Sequence, residues 1–229
     1  MRHMGRAVVV LLLALVARPA RAQNPGLPVM NSGVPRGIGI YGDVGFPNEA
    51  AGKGTAYGAT VRAGFGIIGA TATLSALNPQ GPAGGDLSVG GTLDYRLLGG
   101  PLVPLSVTLQ GGISYAKPDN GVLPPGGLLS GQDVTAYHFP IGIGFALVIP
   151  NPVLAIQPWL APRLDISYVK PDGGSSTTDT NFGLSGGLEF NLLNGFGIQA
   201  AYDRVFLSDG KDPGTFGVGA HYAFRVPGL

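Results

Sequence analysis

Of the 229 residues none is cysteine, only one is tryptophan, and charged residues make up just 12%. Without cysteine there is no disulfide framework and no thiolate metal site. The few lysines and arginines form no cluster of the kind that tracks a phosphate backbone, so no nucleic-acid partner is expected. Beyond the first two dozen residues no apolar run is long enough for a transmembrane helix. Disorder is excluded in turn by a hydrophobic content of 45%. Glycine is the abundant residue, 40 in all, and its lack of a three-residue repeat excludes collagen.

Arg2, His3 and Arg6 precede the apolar run AVVVLLLALVA (7–17), and RPARA follows with small residues at Ala20 and Ala22. This layout predicts a secretory signal peptide over 1–22, cleaved after Ala22. The alternative, an uncleaved anchor helix, needs a longer apolar run. Without Arg2, Arg6, Arg18 and Arg21, ten basic residues face thirteen acidic ones. Residues 23–36, QNPGLPVMNSGVPR, are rich in proline and glycine and read as an irregular periplasmic leader.

From residue 37 onward large apolar residues fall on every second position. GTFGVGAHYAF (214–224) shows the pattern, with Phe216, Val218, Ala220, Tyr222 and Phe224 on one face and small or polar residues between. Ten such stretches are predicted, at 38–46, 57–65, 68–74, 87–97, 105–115, 137–147, 154–168, 182–190, 196–202 and 216–224. The opposite face is glycine, serine and threonine, as in Thr71, Thr73, Ser75 and Ser106, Thr108, Gln110. A soluble sheet would have to expose the greasy face to water, which is forbidden, whereas lipid accepts it. Strands in a bilayer must close to leave no unpaired edge. The expected fold is therefore all-β: a transmembrane antiparallel up-and-down β-barrel of about ten strands, over 37–224, with a short tail at 225–229. Connections alternate between short (65–68, 98–102, 149–153, 191–195) and long (47–54, 78–85, 117–133, 169–180, 205–213), which predicts short periplasmic turns and longer extracellular loops.

Aromatics are placed for interfaces. Tyr57, Tyr115, Tyr137, Tyr168 and Tyr202 are expected at the outer rim, Tyr95 and Tyr222 at the inner one, and only Tyr41 takes the other parity. In these features the chain resembles the small bacterial outer-membrane β-barrel proteins. Its final strand is similar to that family's assembly signal at Gly219, Tyr222 and Phe224, although the chain continues with RVPGL and Gly217 stands where a polar residue is usual. The resemblance implies a bacterial outer-membrane location and two partners, the lipid bilayer and, transiently, the outer-membrane assembly machinery.

The lumen face carries Arg62, Arg96 and Arg163 against Asp43, Asp94, Asp165, Glu189 and Asp203, with His138 and His221. Strand direction puts Asp94, Arg96, Glu189 and His221 toward the periplasmic end, and Arg163, Asp165, Asp203 and His138 toward the outer end. Buried charges need partners, so Arg96 is expected between Asp94 and Glu189, narrowing a polar lumen that passes small solutes. Two alternatives stay open. One is a closed barrel serving as membrane scaffold or surface-contact protein through its loops. The other is a hydrolase of omptin type, since omptins also have ten strands with His and Asp pairs at the outer rim; His138 with Asp165 or Asp203 resembles such a pair, without a counterpart for the second carboxylate pair. No cofactor or metal is expected, because GVGAH and GLSGG lie inside strands rather than at a strand–helix turn. The loop aspartates also lack calcium-loop spacing. Pro158 and Pro162 share one parity within one strand, which predicts a bulge or bend.

Overall fold

The computed structural model describes residues 25–35, 37–80, 86–100, 103–117 and 134–224. The expected signal peptide, the first residues of the leader, the loop at 118–133 and the tail at 225–229 lie outside the described residues. Alternation of bulky and small side chains gives the strands β1 (Gly37–Pro47), β2 (Gly54–Phe65), β3 (Ile68–Pro79), β4 (Asp86–Gly100), β5 (Val103–Lys117) and β6 (Val134–Leu147). A two-residue strand β7 (Ile149–Pro150) follows, then β8 (Leu154–Pro171), β9 (Thr177–Leu192), β10 (Phe196–Phe206) and β11 (Gly214–Phe224). Each long strand pairs antiparallel with its neighbours, β1 pairs with both β2 and β11, and β6 pairs with β8. Ten long strands thus form a closed barrel with no free edge.

Side-chain direction follows the sequence pattern. Leu74 and Leu93 are 63% and 68% exposed on the outside, while the adjacent Thr73 and Thr92 are buried inside. Between β2 and β3 the turn needs Gly66 at φ 61, and between β9 and β10 it needs Gly195 at φ 94, backbone values that a side chain disfavours. Both turns, and both ends of the barrel chain at Gly37 and Phe224, lie at one end of the barrel. The longer connections lie at the other, where the 3-10 turn Glu49–Ala51 is capped by Asn48, whose Oδ1 accepts from the Ala51 amide at 2.9 Å. The Asn48 side chain also donates to the Asp212 carbonyl at 3.0 Å, tying the first long loop to the last.

Two sequence expectations are corrected here. Pro158 and Pro162 produce no bulge: β8 keeps one register against β9 from Leu154↔Leu192 to Val169↔Thr177. The cost falls on the other neighbour, where β6–β8 pairing skips from Gly142↔Arg163 to Phe145↔Leu160 and stops at Trp159, because proline has no amide to donate. The irregular ladder is instead between β4 and β5, beside Arg96 and Leu98. The fourth long loop also shrinks to 172–176, since β8 and β9 continue pairing above the expected strand ends.

Candidate functional site: an occupied lumen

The expected leader is not outside the barrel. Residues 25–35 run through its lumen, from the long-loop end to the short-turn end, and most of them are buried. The path can be followed contact by contact. Leu27 packs with Ala56 and Leu77 near the long loops. Met30 lies against Ala146, Trp159, Ala161 and Ala201 midway. A Cβ on Gly64, beside the short turn, would strike Pro35. The same holds along the whole route: a Cβ on Gly45 would overlap Gly26, one on Gly58 would overlap Leu27, and one on Gly144 would overlap Asn31. Glycine on the inner face therefore clears a track for a second piece of backbone.

The wall holds this segment mostly by its main chain. The Val29 amide donates to Asp203 at 3.0 Å. Gln110 donates to the Met30 carbonyl at 2.9 Å, Gln157 to the Ser32 carbonyl, Arg62 to the Gly33 carbonyl at 3.0 Å and Arg96 to the Val34 carbonyl at 3.1 Å. Five wall residues from five different strands satisfy groups that would otherwise be buried without partners. One side chain joins in, with Ser32 Oγ donating to Glu189 and accepting from Arg62.

The lumen charges form two groups. Toward the short turns Arg62 lies 3.4 Å from Glu189 and over the Tyr41 ring at 5.4 Å, while Asp94 accepts from Gln110 at 2.8 Å. His221 contacts Asn191 at 2.9 Å, and its ring lies 4.6 Å from that of Tyr41. Toward the long loops Arg163 sits 3.1 Å from Asp165 and 2.9 Å from Asp203, with His138 at 3.8 Å from Asp165. Asp43 lies between the groups and accepts from Gln199 at 2.6 Å. The expected layer is therefore rearranged. Arg62, not Arg96, is the guanidinium on Glu189, and the occluding body is the segment these residues grip. The signal for Arg62 was Tyr41, the one tyrosine of inward parity, which faces a cation across β1 and β2.

His138 and Asp165 do not present themselves at the rim; they are 0% and 1% exposed. Ser114 and Ser167 flank His138 in register, and among the described residues neither ring nitrogen nor either hydroxyl has a hydrogen-bond partner. A metal-binding group of three or more His, Cys, Asp or Glu is likewise absent among the described residues. Beside the segment remains a void of about 50 Å³ lined by Asp43, Thr60, Thr71, Thr73 and Thr92. A larger vestibule of about 610 Å³ opens at the short-turn end, floored by Ser32 to Pro35 and walled by Arg62, Arg96, Glu189 and His221.

The aromatic residues stand in rows at the two ends. Tyr115, Tyr137 and Tyr168 are directly opposite one another on β5, β6 and β8, with rings 5.4 and 6.2 Å apart, and Tyr57 and Tyr202 are exposed at the same end. At the other end Tyr222 contacts Phe196 and Phe224, each at 4.7 Å, and Tyr95 is exposed on β4. Gly219 faces inward, where a Cβ would overlap Asp43. With the closed barrel, its apolar outside and these rings established, the family model for the outer membrane protein β-barrel domain matches residues 7–224. The chain belongs to that family. As an outer-membrane barrel it spans the bacterial outer membrane with its strands, short turns to the periplasm and long loops outside. Among curated proteins none matches it. Among solved structures it is similar to the attachment invasion locus protein Ail of Yersinia pestis, at 19% identity over 83% of this chain and 100% of that one, TM-score 0.38. It is also similar to the N-terminal barrel domain of Pseudomonas aeruginosa OprF, at 12% identity over 81% and 96%, TM-score 0.36. The outer-membrane enzyme PagL is similar at 9% identity over 81% and 99%, TM-score 0.37.

Proposed function

We propose that this outer-membrane barrel is non-enzymatic and closed at rest, plugged by its own residues 25–35, and that it works as a membrane scaffold or surface-contact protein through its outer loops. The observation that carries this reading is the main-chain grip on the segment, which fills the path a solute would take. The void of about 50 Å³ left beside it has room for only a few waters. The burial of His138 and Asp165 speaks against hydrolysis, because among the described residues neither side chain is open to a substrate. Export by a signal peptide cleaved after Ala22, and insertion by assembly machinery that reads Gly219, Tyr222 and Phe224, complete the proposal.

A second reading is passage of small solutes through a gate. It is favoured by the periplasmic vestibule of about 610 Å³, which stops at the segment rather than at the wall. Planar-bilayer recording separates the two. The chain beginning at Gln23 should be electrically silent, and the chain lacking residues 23–35 should conduct. Steady conductance from the intact chain would overturn the closed barrel, and spontaneous opening and closing would favour the gate.

A further inference from the structure

The direction in which the segment threads the barrel has a topological consequence. Its C-terminal end joins β1 at Gly37, at the periplasmic turns, where Arg96 holds Val34 and Pro35 approaches Gly64. Its N-terminal end lies at the opposite mouth: Pro25 and Gly26 share a small cleft with Ala51 of the first long loop and Pro213 of the last. Eleven residues of extended chain reach about 34 Å at roughly 3.1 Å each. The wall is comparable in height, since the twelve residues of β2 at a tilt of about 45° rise about 29 Å. One pass through the lumen is therefore complete within 25–35.

A return pass has no room. Wall glycines on β1, β2 and β6 already touch the segment, and beyond the periplasmic vestibule the void beside Leu27 to Met30 is about 50 Å³ among the described residues, too small for a second stretch of backbone. Chain ahead of Pro25 cannot double back to the periplasm inside the barrel, and the bilayer bars it from crossing outside the barrel as unpaired backbone.

We infer that the barrel carries its own N-terminal end across the outer membrane, so that whatever precedes Pro25 is displayed on the cell surface beside the loops at 48–53 and 207–213. The inference rests on the reading of 25–35 as a lumen plug. It also fixes an order of events: the leader peptide is removed before the barrel closes, because a segment still tethered at the inner membrane cannot be enclosed with its start facing outward.

The absence of cysteine makes the test clean. Three single-cysteine chains are compared in intact cells with a membrane-impermeant maleimide: Asn24→Cys, Ser175→Cys in an outer loop, and Leu193→Cys in a periplasmic turn. Folding of each is checked by its mobility on unheated gels. Asn24→Cys should label in intact cells as Ser175→Cys does, while Leu193→Cys labels only after the outer membrane is permeabilised. Labelling of Asn24→Cys only after permeabilisation, or not at all, overturns the inference. Conductance is read separately: a silent barrel whose residue 24 faces the periplasm would refute surface display and leave the closed barrel standing.

Discussion

Replacing Arg62 by methionine probes the lock between wall and segment. In the folded protein the guanidinium is 4% exposed, 3.4 Å from Glu189, and donates to Ser32 Oγ and the Gly33 carbonyl. Methionine keeps much of the length and can still lie against Tyr41, so the change is chiefly one of charge and hydrogen bonds. Removing one partner of a buried ion pair leaves the other desolvated without compensation and costs about 3–5 kcal/mol. That is a large share of the 5–15 kcal/mol that typically separates folded from unfolded protein. Guanidinium unfolding of the detergent-refolded barrel, followed by Trp159 fluorescence, measures the loss. Trp159 suits the purpose because it is the only tryptophan and packs in the lumen beside Met30. Adding Glu189→Gln to Arg62→Met should recover part of the loss, since Glu189 is then no longer a stranded charge, and the double variant should still pass current more often than the parent because Ser32 and Gly33 are held less firmly. A cost below about 1 kcal/mol for Arg62→Met, the size of an exposed pair, would show that the lumen around Arg62 is wet and the lock absent.

Three further outcomes follow from the same geometry. Leu109→Arg, on the lipid face opposite Ile143, should cost about 2–4 kcal/mol in the same unfolding assay; a near-neutral result would mean that this face does not meet lipid. Gly144→Val should push Asn31 off the wall and raise conductance in planar bilayers, and a silent, normally stable variant would contradict the close approach. In the last outer loop the Leu207 amide, and then Arg204, hold the Asp212 carboxyl below the ordinary aspartate range. A group with a lowered folded pKa stabilises above its unfolded value and loses that contribution as pH falls through the lowered one. Protection of the Leu207 amide from hydrogen exchange should therefore survive acidification to the ordinary aspartate value of 3.8 and fail only below it, and failure well above it would refute the assignment.

The barrel was legible because a strand writes its two faces into alternate residues: Phe216 and Val218 outside, Gly217 and Gly219 inside, repeated ten times. Lipid rather than water as solvent followed from which face was the greasy one. The occupant of the lumen was not legible in the same way. PGLPVMNSGVP has no period, and a proline- and glycine-rich stretch reads as irregular whether it lies in solvent or in a tube. Its trace was in the wall, where Gly45, Gly58, Gly64 and Gly144 leave space; that space reads equally as open lumen until the segment is seen inside it. Pairings across the lumen were hidden for a related reason. Arg62 on β2 meets Glu189 on β9 across the barrel interior, and neither strand pairs with the other, so no local register announces the contact.

Disulfide trapping within the lumen tests the central claim most directly. Pro28 lies against Gly217 of β11, where an added Cβ would be 2.7 Å from the proline ring, and the chain has no other cysteine to interfere. The pair Pro28→Cys with Gly217→Cys should oxidise readily in the folded barrel in membranes, giving a cross-linked species on non-reducing gels that stays electrically silent. Pro28→Cys with Phe216→Cys, one residue along and facing lipid, should not. A folded barrel in which the first pair fails to cross-link, or cross-links no faster than the second, would contradict the presence of residues 25–35 in the lumen.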